Sequence, residues 1–265
     1  MKTLKTVWLS DIHLGCKDSK AEYLLDFLEQ HTIETLYLVG DIIDMWAMSK
    51  QFRWPEAHNK VMHKIWQISQ GQTRVIYLPG NHDQPLQKYH GMEFGHITVA
   101  RETIHTTQNN KNLLVLHGDQ FDQEVCFGPI HAWIGDKAYD LLLFINRWYN
   151  RVQTWRGKPY WSLAGHIKQH IKGANKAIER YKAACRERAQ SLNLDGVVCG
   201  HIHHPEICNA HEVTYYNDGD WIENCSALVE DEKGDIALYY WTQVNTPSKV
   251  VSINSTPENS KPQAA

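Results

Sequence analysis

Apolar and polar positions along the chain alternate between two periods. Thr6 to Ser10 is a β-branched and aromatic run that predicts a strand. After it, Ala21, Leu24, Leu25 and Leu28 recur at helical spacing. The same succession returns with a strand over Leu36 to Val39, a helix over Pro55 to Gln70 and a strand over Arg74 to Leu78. Pro55 suits the first turn of its helix, where no backbone donor is needed. Leu113 to Leu116 and Gly196 to Cys199 predict two more strands, and several short ones fall between Glu206 and Trp241. Strand–helix alternation predicts an α/β fold with helices on the faces of a sheet. The later β-rich part predicts a second sheet stacked on the first.

Residues 121–190 break this rhythm. They carry a local charge of +6 and 11 of the 28 aromatic residues, and they read as helices with no strand between them. That composition predicts an inserted helical subdomain within a domain covering 1–243. The rest of the chain carries −9. Residues 244–265, rich in Ser, Pro, Asn and Lys, read as a disordered tail. No apolar run approaches the ~20 residues of a membrane span, and the N-terminus reads as lacking a signal peptide. Six cysteines without a Cys-x-x-Cys pair fit reduced thiols in a cytoplasmic chain. A catalytic part with net negative charge offers no basic track for nucleic acid.

The 16 histidines cluster where chemistry is expected. Five motifs each follow a predicted strand: Asp11-Ile12-His13, Gly40-Asp41-Ile42-Ile43-Asp44, Gly80-Asn81-His82-Asp83, His117-Gly118-Asp119 and Gly200-His201-Ile202-His203-His204. Loops beyond the carboxyl ends of strands in an open α/β sheet converge on one crevice. Each motif alone has an ordinary explanation, since Asp-x-His is frequent by chance and Gly-Asp after a strand is a common turn. Five in this order supply the ligand set of two divalent cations. Such a pair, ~3.5–4 Å apart, clamps a phosphoryl group and lowers the pKa of a bridging water. Mixed nitrogen and oxygen donors suit manganese, iron, zinc or cobalt better than magnesium or calcium, which prefer oxygen, and manganese is the first expectation among them.

The order of these motifs resembles that of the calcineurin-like metallophosphoesterases, and the likeness spans roughly residues 1–242. The resemblance implies a two-sheet α/β metallophosphoesterase sandwich flanked by helices, with a dinuclear metal centre. It implies one cation held by Asp11, His13, Asp41 and His203. A second would be held by Asp41, Asn81, His117 and His201, with Asp41 bridging, and His82 would stand beside the leaving group as the catalytic histidine.

Within that superfamily the chain is similar to the UDP-2,3-diacylglucosamine pyrophosphatase family. The size, the helical insert after His117-Gly118-Asp119 and the segment Asn217 to Cys225 carry this likeness. It implies hydrolysis of a lipid-linked pyrophosphate to UMP and a lipid monosaccharide phosphate, with peripheral contact at the cytoplasmic face of the inner membrane. The pattern departs at three places. The pyrophosphatases carry Arg at the position of His82. They have an acidic stretch where this chain reads Met45 to Ser49, and a Cys-Thr-Asp-Asp-like sequence where it reads Gln120 to Gln123. A paralogue acting on another phosphoester, such as a soluble nucleotide ester, is therefore the competing expectation. A non-catalytic scaffold on the same fold is a third, disfavoured by the complete motif set.

Substrate contacts are expected from Asn81, His82, Asp122 and Trp46. Trp46 and Trp54 suit either ring stacking or core packing. Asp44, Asp83 and Asp119 suit either orientation of ligand imidazoles or turn capping. Cys199 reads as a small buried strand residue. In the insert, Leu141 to Ile145, Trp148, Tyr149, Val152 and Trp155 lie beside Arg147 and Arg151, and Lys168, Lys172, Lys176 and Arg180 repeat every fourth residue. An interfacial lid over a lipid and a helical layer packed on the sandwich both fit this pattern.

Overall fold

The structure, a computed structural model, describes residues 2–122, 172–241 and 249–252. Strand β1 (Lys2–Leu9) is followed by α1 (Ala21–Gln30) and β2 (His31–Leu38), then by α2 (Met45–Lys50), α3 (Glu56–Ser69) and β3 (Arg74–Tyr77). Strands β4 (Glu93–Phe94), β5 (Ile97–Val99), β6 (Glu102–Thr106) and β7 (Asn112–Leu116) complete the first half. Helix α4 (Lys172–Ser191) leads into β8 (Gly196–Cys199), β9 (Glu206–Cys208), β10 (Thr214–Asn217), β11 (Ser226–Glu230), β12 (Ile236–Tyr240) and β13 (Lys249–Ser252).

These strands form two sheets, ordered β13-β12-β11-β1-β2-β3-β5-β4 and β6-β7-β8-β10-β9. Successive side chains of a strand point to opposite faces, so a central strand buried on both sides reads as a continuous apolar run. In β1, Leu4, Val7 and Leu9 face a core shared with Leu24 and Phe27 of α1 and Val61 and Ile65 of α3. Trp8 faces the other way, into the layer between the sheets, with Tyr37, Ile76, Leu113 and Val115. Leu114 and Leu116 of β7 pack outward against Tyr181, Cys185 and Ala189 of α4. The result is a helix–sheet–sheet–helix stack.

The chain departs from the sequence reading in four places. Strands β11 and β12 join the first sheet, where β11 runs antiparallel to β1, so the second sheet is built from β6 to β10. Every residue of β11 is buried: β1 and β12 pair with its two edges, Ala227 and Val229 face the core under the helices, and Leu228 faces the layer between the sheets. Helix α2 was not expected, because none of its residues is buried and it has no apolar face to register as a period. Helix α4 connects the parallel neighbours β7 and β8, so its C-terminal turns belong to the sandwich and not to an insert. Residues 249–252, within the expected tail, pair antiparallel with β12, whose edge offers unpaired backbone groups to a Lys-Val-Val-Ser segment of high β propensity. The apolar and basic positions from Leu141 to Lys168 lie outside the described residues, as does the remainder of 244–265. Among the described residues no helix is long and apolar enough to cross a membrane.

A buried polar cluster joins the two sheets. Glu230 accepts from the Thr6 hydroxyl at 2.6 Å and the Gln108 N–H at 2.7 Å, and His105 Nε2 lies 3.0 Å away. The Tyr37 hydroxyl lies 3.2 Å from His105 Nδ1. Burial alone would raise the Glu230 pKa, but the bonds from His105, Thr6 and Gln108 outweigh it and leave it lowered. A carboxyl with a lowered folded pKa contributes stability above its unfolded value and loses it as pH falls through the folded one. Glu230→Gln turns one acceptor into a donor facing donors, and is expected to cost about 1–3 kcal/mol at neutral pH. Urea unfolding of both proteins should show that difference shrinking as pH is lowered below the usual carboxylate range.

Candidate active site

The loops after β1, β2, β3, β7 and β8 meet at one end of the sandwich. Backbone bonds zip the first two together: Asp11 N–H donates to Gly40 O at 3.0 Å, His13 N–H to Asp41 O at 2.9 Å and Leu14 N–H to Ile42 O at 2.9 Å. Asp11, His13, Asp41, His201 and His203 all adopt positive φ, between 49° and 69°. Non-glycine residues rarely take this conformation, and strain of this kind collects at functional sites where surrounding structure enforces it. Gly80 and Gly200 lie against the site, and a Cβ there would strike Asp41 and His117, or Ser10 and Asp11.

Seven of the expected residues come together. One group is Asp11, His13 and His203; another is Asp41, His117 and His201; within each, one donor atom from every member lies within 4.8 Å of the others. Asp41 joins the groups, since its Oδ2 is 3.4 Å from His117 Nε2 and 3.9 Å from His13 Nε2. Asn81 Oδ1 is 3.3 Å from His117 Nε2. His82 Nε2 stands 4.0 Å from Asp41 Oδ2, and its ring meets those of His13 and Trp46 at centroid distances of 4.5 and 4.3 Å. Trp46 is half-exposed on α2. Asp122 is engaged by His201, whose Nε2 is 2.6 Å from its Oδ1. Trp54 packs partly buried against the first core, and Cys199 is a fully buried residue of β8. His204, last of its motif, turns away, with Nε2 3.6 Å from Glu206.

The acidic residues after the motif residues have distinct tasks. Asp44 caps α2 by accepting from Ala47 N–H at 2.7 Å. Its two oxygens also hold His13 Nδ1 at 3.1 Å and His82 Nδ1 at 2.9 Å, so one carboxylate orients two imidazoles and leaves both Nε2 atoms toward the cleft. Asp83 touches no imidazole. It accepts from the N–H groups of Gly80, Asp41 and Ile42 and from the Tyr77 hydroxyl, and so holds the second and third loops in register. The sequence offered cap and orienter as alternatives for Asp44; the structure gives it both. His117 Nδ1 is fixed by the Val39 carbonyl at 2.8 Å.

Residues missed by sequence reasoning stand behind these. Asp220 accepts from the N–H groups of Ile222, Glu223 and Asn224 and lies 4.0 Å from His203 Nδ1, while Trp221 N–H donates to Asp11 O at 3.1 Å. The Asn217 to Cys225 segment carried this signal, but its role depends on β10 lying beside β8.

The donors fit cations. Among the described residues, Asp11 Oδ1 and His13 Nε2 are buried without a hydrogen-bond partner and lie 3.7 Å apart. Buried polar atoms are normally satisfied, and an orphaned oxygen and nitrogen facing each other suit a metal ion. Burial would raise the Asp41 pKa, but His117 outweighs it and brings it down to about 2. Burial would likewise discharge His13, His117 and His203; neighbouring carboxylates, Asp11 and Asp41 foremost, hold all three above the usual imidazole value. Carboxylates and imidazoles thus shift one another's pKa values in opposite directions.

A two-sheet sandwich with paired Asp–His clusters at its strand ends defines a metallophosphoesterase. The calcineurin-like phosphoesterase pattern matches residues 4–205, and the chain belongs to that family. It is a metal-dependent hydrolase. It is similar to the UDP-2,3-diacylglucosamine hydrolase of Neisseria gonorrhoeae, with 21% identity over 241 residues, covering 88% of this chain and 95% of that protein. The Haemophilus influenzae protein of the same name is 22% identical over 249 residues, covering 87% and 97%. That of Cellvibrio japonicus is 27% identical over 119 residues, which is 44% of this chain and about half (48%) of that protein. Among solved structures, a Vps29 single mutant from Entamoeba histolytica aligns with a TM-score of 0.48 and 13% identity over 94% of this chain and 97% of the other.

Proposed function

We propose that this chain hydrolyses a lipid-linked pyrophosphate of the UDP-2,3-diacylglucosamine type at a centre built from Asp11, His13, Asp41, Asn81, His117, His201 and His203. The observation that carries the reading is Asp41 Oδ2, within 4.0 Å of the Nε2 atoms of His13, His82 and His117. Asp11, His13, Asp41 and His203 would hold one divalent cation and Asp41, Asn81, His117 and His201 the other, with manganese the first choice for a mixed donor set. Bound there, the pair supplies Lewis-acid stabilisation of the phosphoryl charge and a water of lowered pKa.

His82 is the group left free to act. Asp44 takes its Nδ1–H, which turns Nε2 toward the substrate to hydrogen-bond the phosphoryl or leaving oxygen. Trp46, its ring tilted against that of His82 and half-exposed, offers its ring to the substrate. Asp122 holds His201 through Oδ1 and is half-exposed, which leaves its other oxygen for the substrate. The names of the relatives matched over nearly their full length support the substrate class. The +6 charge and aromatic content of residues 121–190 support contact with a lipid at the cytoplasmic face of a membrane.

Purified protein supplied with Mn(II) should convert UDP-2,3-diacylglucosamine in detergent to UMP and a lipid monosaccharide phosphate, and should be slower on water-soluble nucleotide diesters. Hydrolysis of the soluble esters alone would retain the metallophosphoesterase and remove the lipid.

A further inference from the structure

We propose that Asp218 is a positioning residue which, as a neutral carboxylic acid, directs the Ser10 hydroxyl onto Asp11 and so reserves one Asp11 oxygen for a cation. The inference rests on Asp11 being a metal ligand. Ser10 Oγ lies 2.5 Å from Asp11 Oδ2, 2.7 Å from Asp218 Oδ1 and 3.1 Å from the Gly219 carbonyl. A hydroxyl has one proton to donate. Two carboxylates cannot both sit at bonding distance from it unless one brings a proton of its own.

The surroundings decide which one does. Asp11 Oδ2 also accepts from His201 N–H at 2.8 Å, and Asp11 Oδ1 lies 3.1 Å from His203 Nε2. Asp11 Oδ2 thus has a backbone donor suited to a charge. Asp218 is fully buried, and its Oδ2 has no hydrogen-bond partner among the described residues. An unpartnered carbonyl oxygen in the interior costs far less than an unpartnered carboxylate oxygen. Burial pushes the Asp218 carboxyl well above the usual range; the Ser10 contact opposes this and the charge of Asp11 adds to it. The backbone holds it in place. Asp218 N–H donates to Cys199 O at 3.3 Å, Ser226 Oγ donates to Asp218 O at 2.8 Å, and the chain turns at Gly219 with φ +87°.

The bond order that follows runs from Asp218 O–H to Ser10 Oγ, and from Ser10 O–H to Asp11 Oδ2. With Oδ2 occupied by Ser10 and by His201 N–H, Asp11 Oδ1 is the oxygen left over. That is the buried, unpartnered atom facing His13 and His203. An ionised Asp218 would draw the Ser10 proton to itself and leave two oxygen lone pairs opposed across the Ser10–Asp11 contact.

Two measurements test this, one of them independent of metal. Infrared spectra at neutral pH should contain a protonated-carboxyl C=O band that disappears in Asp218→Asn. Binding of Mn(II), read by calorimetry or chelator competition, should be within about twofold of wild type in Asp218→Asn, because an amide N–H donates to Ser10 as the acid does. In Ser10→Ala it should weaken about tenfold or more, the range for groups that orient a ligand. Loss of Mn(II) affinity in Asp218→Asn equal to that in Ser10→Ala would overturn the proposal. So would an unchanged affinity in Ser10→Ala, or an infrared spectrum in which Asp218→Asn removes no band. A wild-type chain that takes up no Mn(II) would defeat the metal reading, and the infrared comparison would still decide the state of Asp218.

Discussion

Asp41→Ala is expected to abolish binding at both cation positions together with hydrolysis. Protein purified without chelator should approach two transition-metal ions per chain in the wild type and none in the variant. The carboxylate is buried and its Oδ2 faces three imidazoles, those of His117, His13 and His82, at 3.4 to 4.0 Å. Its removal takes a shared ligand from both spheres and leaves imidazoles facing one another. The loss of activity should exceed the ~10–100-fold that follows from disturbing a group outside the ligand shell. His203→Ala, by contrast, removes a member of one cluster and should weaken mainly one ion. Equal metal content in Asp41→Ala and wild type would end the bridging assignment.

Acid should reproduce this loss reversibly. The pKa values of His13, His117 and His203 are raised by the neighbouring carboxylates, and a nitrogen must be free of its proton to bind a cation. Lowering pH therefore favours the protonated, metal-free form, and Mn(II) affinity should fall as pH is lowered. Equilibrium dialysis across a pH series measures the slope, and a flat profile would contradict these raised pKa values.

His82→Ala should leave both metals bound and lower kcat by ~10²–10⁴-fold, the usual contribution of a positioned proton donor. The two effects separate because His82 joins the cluster from outside. Its ring is more exposed than those of His13 and His117, and its Nδ1 is taken by Asp44. Asp44→Asn should disturb His82 and His13 together, since one carboxylate holds both rings. It should thus reduce metal content as well as kcat, which His82→Ala should not. Unchanged turnover in a fully metallated His82→Ala protein would remove this histidine from the reaction. His82→Arg is the informative companion. Retained activity on UDP-2,3-diacylglucosamine would show that either side chain serves the leaving group.

The five motifs, their order and their places after strands were legible because each is local. A Gly or Asp at a strand end and an alternating or continuous apolar run before it are properties of a few consecutive residues. The helices with apolar stripes, α1 and α3, were legible for the same reason. Helix α2 was not, because it buries nothing, and its position is set by Asp44 and the bonds that carboxylate makes.

Pairings between distant segments also lay beyond sequence reasoning. An apolar strand such as Ser226–Glu230 carries the same signal beside β1 as it would in the second sheet. Only its backbone pairing with β1 and β12 places it. The C-terminal turns of α4 were grouped with an insert by charge and aromatic content, whereas packing of Tyr181, Cys185 and Ala189 on β7 and β8 assigns them to the sandwich.

The sequence by itself thus determined which donor atoms the loops can offer, since the identity of a donor atom is fixed by its residue. Only the tertiary structure decided which donors share a site, that Asp44 serves two imidazoles, and that Asp218 lies against Ser10 across more than two hundred residues of chain. Those relations depend on which strands become neighbours, and that is settled by how the whole chain buries its apolar faces.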